Sequence, residues 1–319
     1  MKAYAAYSLD SNIIKNSSSG GICTLIANEI LLKDGVVYGA ALNEDLQVVH
    51  TRIDNNKDIN RIRGSKYVQS LLEDTYIKAK KDLEEGRYVL YTGTPCQIAG
   101  LKKFLVQDYE RLYTQDLVCH GVPTITVWEK YKEYLKNKYE SELINIEFRN
   151  KSKGWELFQI KLEFKSGEIV YENFRDNIYM KAFLKNICLR GSCYKCKFKT
   201  IDRVSDITLA DFWGIKNVCP EMYNKNGTSL VIIQNDKGEQ LFTSIENKIT
   251  KKEVDINETI KYNSAMVQSV APKGNKKKFV ELLENRDFNY AVKKSISKDK
   301  LFKKIIKLKG KIKGLLKRI

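Results

Sequence analysis

Three thiols, Cys188, Cys193 and Cys196, fall within nine residues of a 319-residue chain that has only seven cysteines. A short loop carrying several sulfurs constrains the fold strongly, because it aims them at one centre only if the surrounding chain fixes its shape. The odd cysteine count argues against a fully paired disulfide framework. The opening MKAYAAYSLD lacks an apolar signal region, and no run is long enough to cross a bilayer. The expected setting is therefore the reducing cytoplasm, where clustered thiols bind metal or do redox chemistry. Only two histidines, His50 and His120, are present, so a multi-histidine metal site is excluded by count.

The spacing Cys-x4-Cys-x2-Cys is that of plant-type iron–sulfur loops. Cys193-x2-Cys196 suits structural zinc equally well, given a fourth ligand and tetrahedral closure. A loop without metal is the third alternative. Spacing alone leaves the fourth ligand open: Cys219 is the nearest downstream choice, whereas Cys96 and Cys119 are distant in sequence.

Helix and strand signals alternate over the first 140 residues. Residues 22–32 place Ile22, Leu25, Ile26 and Ile30 on one helical face, with serines before them and Gly35 after. Residues 36–42 read as a buried strand and 46–52 as its hairpin partner. Helices follow at 69–85, 97–105 and 124–138, and strands at 87–91 and 112–118. Segments 143–148, 157–164 and 168–174 read as strands in hairpins. Short strands at 206–210 and 229–234 come after the cysteine loop, and the chain beyond Lys237 reads as mainly helical. The expected architecture is α/β, in the mixed α+β sense: a mixed sheet with flanking helices, a cysteine loop and a basic C-terminal helix. The expected division is a lobe over 1–140, a second over 141–290 and a tail over 291–319.

The net charge of +17 is unevenly placed, since residues 298–319 carry ten Lys/Arg against one Asp. The body is only mildly basic, so no nucleic-acid partner is expected. In the tail, Leu301, Ile305, Leu308, Ile312, Leu315 and Ile319 recur at helical spacing opposite lysines. Such a helix suits the surface of an anionic membrane, at its inner face, or an acidic partner; a frayed, solvated tail fits the same pattern.

Several stretches carry chemistry. Thr92-Gly93-Thr94-Pro95-Cys96-Gln97 reads as strand, turn and helix start, where outward N–H groups favour an anion or thiolate. Ser17-Ser18-Ser19-Gly20-Gly21 precedes another helix and suits a phosphate cradle, although it lacks the Walker and dinucleotide patterns. Cys119 and His120 end a strand, where neighbours point to opposite faces, so the two are not expected to act as a dyad. Asp211-Phe212-Trp213-Gly214 offers rings that either flank a flat cofactor or, more commonly, fill core.

Taken together and in order, these stretches resemble the beta-subunit family of coenzyme F-420 hydrogenase/dehydrogenase. The resemblance rests on the serine-glycine loop, Val37-Tyr38-Gly39-Ala40 and Arg63-Gly64-Ser65-Lys66-Tyr67-Val68-Gln69-Ser70. It continues through Gly93-Thr94-Pro95-Cys96-Gln97, Cys119-His120-Gly121-Val122-Pro123, Gly154-Trp155, Cys193-Tyr194-Lys195-Cys196 and residues 206–214, covering roughly 4–245. It implies a flavoprotein with FAD and a 4Fe–4S cluster whose ligands are Cys96, Cys119, Cys193 and Cys196, with Cys188 and Cys219 in reserve. It also implies flavin contacts from Ser18, Ser19, Gly20, Gly21, Lys66, Tyr67, Gln69, Gly93, Thr94, Pro95 and Gln97. His120 and Lys66 are the expected catalytic side chains. The chain opens without the cysteine-rich segment of many relatives, so electrons are expected from a separate transfer protein, with a small molecule as redox substrate. The alternative is a non-redox or zinc-containing accessory protein of surface-polysaccharide assembly.

Overall fold

A computed structural model of the chain describes residues 1–296. Eleven strands are present there: β1 (Lys2–Ser8), β2 (Val36–Leu42), β3 (Val48–Ile53), β4 (Val89–Gly93), β5 (Leu112–Leu117), β6 (Leu143–Asn150), β7 (Gln159–Phe164), β8 (Ile169–Asn173), β9 (Ile207–Asp211), β10 (Ser229–Ile233) and β11 (Ile249–Val254). Eight form one sheet in the order β11-β1-β10-β9-β5-β4-β2-β3. The central run β2, β4, β5, β9 is parallel, and the flanking pairs are antiparallel. The sheet therefore takes strands from both sides of residue 140.

Parallel strands need cover on both faces, and their sequences supply it. Val37, Leu90 and Ile207 face a core closed by the helices Ile22–Leu32 and Asp236–Ser244. Val36, Tyr38, Val89 and Tyr91 face the helices Thr75–Glu84 and Pro95–Leu105. Strands β6, β7 and β8 make a separate antiparallel sheet. It packs with the helices Ile125–Tyr139, Ile178–Leu184 and Phe288–Ile296 around the fully buried Trp128, Tyr131, Tyr179 and Phe288.

The α/β architecture agrees with the sequence reading, and three local readings are corrected. The helix expected from residue 69 begins at Thr75; before it, Leu71 bridges to Val49 of β3 and Glu73 takes a positive φ of 46°. The segment beyond Lys237 is not all helical, because β11 adds an edge strand paired with β1. Strand β1 itself, whose Ala3 and Ala5 face one core and Tyr4 and Ala6 another, was not anticipated. No described helix is long and apolar enough to cross a membrane. The basic tail helix and its membrane contact lie outside the described residues.

Candidate functional site

Strands β4 and β5 are parallel neighbours, so both leave the sheet at its carboxyl edge, where open α/β sheets place their ligands. After β4, Thr94 caps the helix Pro95–Leu105 and puts Cys96 in its first turn; Gln97 Oε1 accepts from the Thr94 N–H (2.9 Å) and hydroxyl (3.0 Å). After β5 ends at Leu117, the turn carries Cys119 and His120. The cysteine loop folds over this edge. Leu189 bridges to Pro123, and the Arg190 N–H donates to the Val122 carbonyl at 2.9 Å. The two turns touch at Gly121, whose φ is +142°. A Cβ there would lie 2.9 Å from the Leu189 side chain and 3.3 Å from the Cys193 Cβ.

The result is one pocket lined by Cys96, Cys119, Cys193 and Cys196, together with His120, Lys199 and Arg203. Cys96 is exposed and the other three are half-buried. Burial pushes the Cys119 thiol up to about 12, opposed by the Lys199 ammonium. That ammonium is fixed by the carbonyls of Cys119 and Ala265 (2.8 Å to the latter). The Cys196 N–H donates to Ser269 Oγ at 3.0 Å. His120 Nε2 lies 2.6 Å from Asn186 Oδ1. Because the Asn186 amide nitrogen donates to the Ala271 carbonyl (2.7 Å), its oxygen accepts and His120 carries the Nε2 proton. Burial lowers the His120 pKa, in keeping with a neutral ring. Both Cys119 and His120 line the pocket, because the strand ends before them and strand alternation no longer applies. Behind the pocket, Arg203 sits 3.5 Å from the fully buried Asp116, whose carboxyl burial raises to about 6.

Neither reserve thiol lines this pocket. Cys188 is buried in the core of the small sheet with Tyr179 and Phe183, and Cys219 is buried with Phe212 and Met222. Among the described residues no three Cys, His, Asp or Glu side chains are gathered tightly enough for a single metal ion.

The serine-glycine loop lies along the same edge, past β9. Gly20 packs so closely on β1 that a Cβ would come within 2.5 Å of the Ala6 carbonyl oxygen. Its serines are occupied: Ser18 Oγ accepts from the Ser65 N–H (2.7 Å) and hydroxyl (2.8 Å), and Ser19 Oγ donates to the Thr228 carbonyl (2.8 Å). The loop is thereby locked to the segment carrying Lys66. Lys66 donates to the carbonyls of Arg61 (3.1 Å) and Arg63 (2.9 Å), and burial brings its pKa down to about 7. It interacts electrostatically with Cys23 and His50. His50 is held between Ser70 Oγ (2.6 Å) and the Thr92 carbonyl (3.0 Å), and burial lowers its pKa to about 4. The ring is neutral, donating from Nε2 to the carbonyl and accepting at Nδ1. Cys23 Sγ lies 3.1 Å from Gln115 Nε2, while Gln115 Oε1 is buried without a partner. The Gln69 N–H reaches the Pro123 carbonyl at 3.1 Å, tying this region to the thiol pocket. Tyr67 packs its ring on Phe148 and Phe183.

Two further cations complete the edge, and neither was singled out in the sequence. Arg149, at the end of β6, pairs with Asp211 at 2.5 Å and lies over the rings of Phe158 and Trp213; its Nε and Nη2 are buried without partners. Lys151 donates to three carbonyls, those of Ile14 (2.5 Å), Ser19 (3.1 Å) and Asn226 (2.5 Å). Burial pulls its pKa down to about 7, while three acceptors favour the ammonium form. Trp213 stacks face to face on Trp155, with centroids 4.9 Å apart, and Phe212 is fully buried. Phe212 fills core, whereas Trp213 is half-buried between Trp155 and Arg149. Cys23, Arg149, Lys151 and Lys199 escaped the sequence reading, since only long-range packing brings them to the edge. The one local signal was Cys23 in the helix turn after the glycines.

Comparison with known proteins identifies the family of the chain. Residues 3–76 match the N-terminal part, and residues 86–259 the C-terminal part, of the family described as coenzyme F420 hydrogenase/dehydrogenase, beta subunit. The chain is 27% identical over 237 residues to the coenzyme F420-dependent sulfite reductase of Methanocaldococcus jannaschii, covering 72% of this chain and 35% of that protein. It thus spans about a third of that relative. A chain from the F420-reducing [NiFe] hydrogenase complex of Methanosarcina barkeri shares the fold, with a TM-score of 0.53 and 18% identity over 83% of this chain and 90% of that one. The chain belongs to the coenzyme F420 hydrogenase/dehydrogenase beta-subunit family, a family of redox proteins.

Proposed function

We propose that the protein is an iron–sulfur flavoprotein oxidoreductase of the cytoplasm. It would pass electrons between a small reducible substrate, deazaflavin-like or other, and a separate electron-transfer protein. Cys96, Cys119, Cys193 and Cys196 would hold a 4Fe–4S cluster, and the edge built by residues 17–21, Lys66, Arg149 and Lys151 would hold FAD. The observation that carries this reading is the convergence of four thiols from three separate segments on one pocket. Four pocket thiols match the four cysteine ligands of such a cluster. The buried cations along the carboxyl edge suit the phosphates of a dinucleotide.

When bound, FAD couples two-electron chemistry at a substrate to one-electron transfer. The residues of the chain do the rest. The four thiolates would hold the iron, and the Lys199 ammonium lies beside three of those thiols. His120 offers the pocket a neutral ring oriented by Asn186. Lys66, tethered by carbonyls next to Cys23 and His50, is the group placed to hold or release a proton at Nζ near neutral pH. The test is anaerobic purification or reconstitution with iron, sulfide and FAD, followed by elemental analysis and visible and electron paramagnetic resonance spectra. Equal iron and acid-labile sulfide with a flavin spectrum is expected. Colourless protein, or zinc in place of iron, would overturn the reading.

A further inference from the structure

The chain around the thiol pocket is poor in carboxylates. The pocket is lined from residues 94–96, 119–122 and 193–199 and by Arg203. The stretches 95–107, 118–128, 178–201 and 261–280, which carry or pack against most of that lining, hold thirteen Lys/Arg and no Asp or Glu, in a chain with 39 acids among 319 residues. The exposed Asp202 adjoins Arg203, and Lys102, Lys181, Lys261 and Lys277 pair with acids outside these stretches. Residues 178–201 and 261–280 are joined directly. The Lys273 N–H donates to the Lys185 carbonyl (2.8 Å), Ser269 Oγ accepts from the Cys196 N–H (3.0 Å), and Asn186 reaches the Ala271 carbonyl (2.7 Å).

Lys185, Arg190, Lys195, Lys197 and Lys273 are exposed on these joined stretches. None of the five forms an ion pair among the described residues, although exposed lysines elsewhere commonly do, as Lys78, Lys130, Lys136, Lys216 and Lys252 show. Lys195 and Lys197 directly flank Cys196, and the exposed Cys96 lies at the pocket mouth.

We propose that this cationic collar is the docking surface for an acidic one-electron carrier protein, seated over the mouth of the thiol pocket. Unpaired like charges at this density repel one another, and an acidic face relieves that repulsion while steering encounter. The collar flanks the cysteine loop of a pocket that presents one exposed thiol, Cys96. An electron carrier needs close approach at that point, whereas a nucleic acid or membrane surface gains nothing from it. The exchange is of one electron, lost by the reduced iron–sulfur carrier and gained by this protein's cluster; no bond changes and no proton moves. The inference rests on the iron–sulfur reading above, and the test separates the two.

The probe is a small ferredoxin of strong negative net charge, used with the full-length, cluster-loaded protein. Binding of the oxidised probe is measured by titration calorimetry, and reduction by the reduced probe by stopped flow, from low to high salt. Both should weaken steeply as salt rises. The double variant Lys195→Glu and Lys197→Glu should lose at least about tenfold in affinity and second-order rate at low salt, and lose the salt dependence. Lys185→Glu with Lys273→Glu, both outside the thiol loop, should act in the same direction if the first pair disturbs the cluster. Lys2→Glu with Lys252→Glu, at the far edge of the sheet, should change neither quantity. Equal effects of collar and far-edge variants would overturn the proposal. So would tighter, collar-dependent binding to RNA or to phosphatidylglycerol vesicles than to the ferredoxin. Absent iron would overturn the cluster reading instead, and calorimetry on that protein would still report on the collar.

Discussion

The two halves of the sheet's carboxyl edge use positive charge in opposite ways. Along the serine-glycine loop, Lys66 and Lys151 are bound to main-chain carbonyls and Arg149 is clasped by Asp211 beneath aromatic rings. Around the thiol pocket, Lys185, Arg190, Lys195, Lys197 and Lys273 are exposed and form no ion pair among the described residues. A buried cation is costly unless its donors are satisfied, so the first group is part of the fold before it is part of any site. An exposed, unpaired cation contributes almost nothing to folding and remains free to act on a partner. Sequence composition makes no distinction between the two; burial does.

The largest effect that would sharpen this contrast is all-or-none. Cys119→Ser or Cys196→Ser should abolish iron retention after reconstitution, whereas Cys188→Ala should keep it and only destabilise the small-sheet core. Loss of iron in Cys188→Ala, measured by elemental analysis, would place the ligand set elsewhere. Next come the buried cations. Arg149→Met leaves the Asp211 carboxylate with the Trp155 indole N–H (2.8 Å) but no counter-charge, and Lys151→Met strands three carbonyls. Each should cost about 3 kcal/mol in urea denaturation. A loss below about 1 kcal/mol would mean that these groups serve a ligand rather than the fold.

The next effect is tied to pH. Burial holds the His50 pKa near 4, below its ordinary 6.5, with Lys66 adding to the depression. Below pH 6.5 the unfolded chain takes up a proton that the folded chain refuses until about pH 4. The stability due to this ring is therefore complete above about pH 6.5 and is lost as pH falls through that window, by on the order of 3 kcal/mol over its full width. Asp116, raised to about 6, works in the opposite sense over part of the range. The measurement is consequently the difference in pH dependence between wild type and His50→Gln, which should flatten the fall. The smallest effect belongs to the collar: Lys195→Glu should leave stability within about 0.5 kcal/mol, since nothing is bonded to that side chain.

How much of this was legible beforehand follows burial closely. Strand β2 occupies the range read from the sequence, because VVYGAAL is an apolar run between Gly35 and Asn43 and is buried along most of its length. Thr124 and the helix it caps were legible for local reasons as well, since the threonine hydroxyl accepts from the Val127 N–H. Strand β11 was misread because ITKKEV is an edge strand, and edges carry charge in place of the alternating pattern that betrays inner strands. In the site, the four thiols that the family resemblance implied as a group line one pocket. Loop spacing alone favoured Cys188, which the structure buries in core. Ser18 of the glycine loop also fastens two segments 47 residues apart, a contact with no local signature. No local pattern announces that Lys151 would meet Ile14 and Asn226, because that meeting exists only once both sheets are assembled.

Strand β9 slots in beside β5, although about ninety residues of chain separate them, and the cysteine loop arrives with it. During synthesis the ribosome therefore delivers Cys96 and Cys119 long before Cys193 and Cys196, and the pocket closes only after β9 has docked. On the iron–sulfur reading proposed above, the machinery that loads iron would have to recognise a nearly finished protein, and a message broken off before codon 207 would yield a product with no finished pocket for the metal.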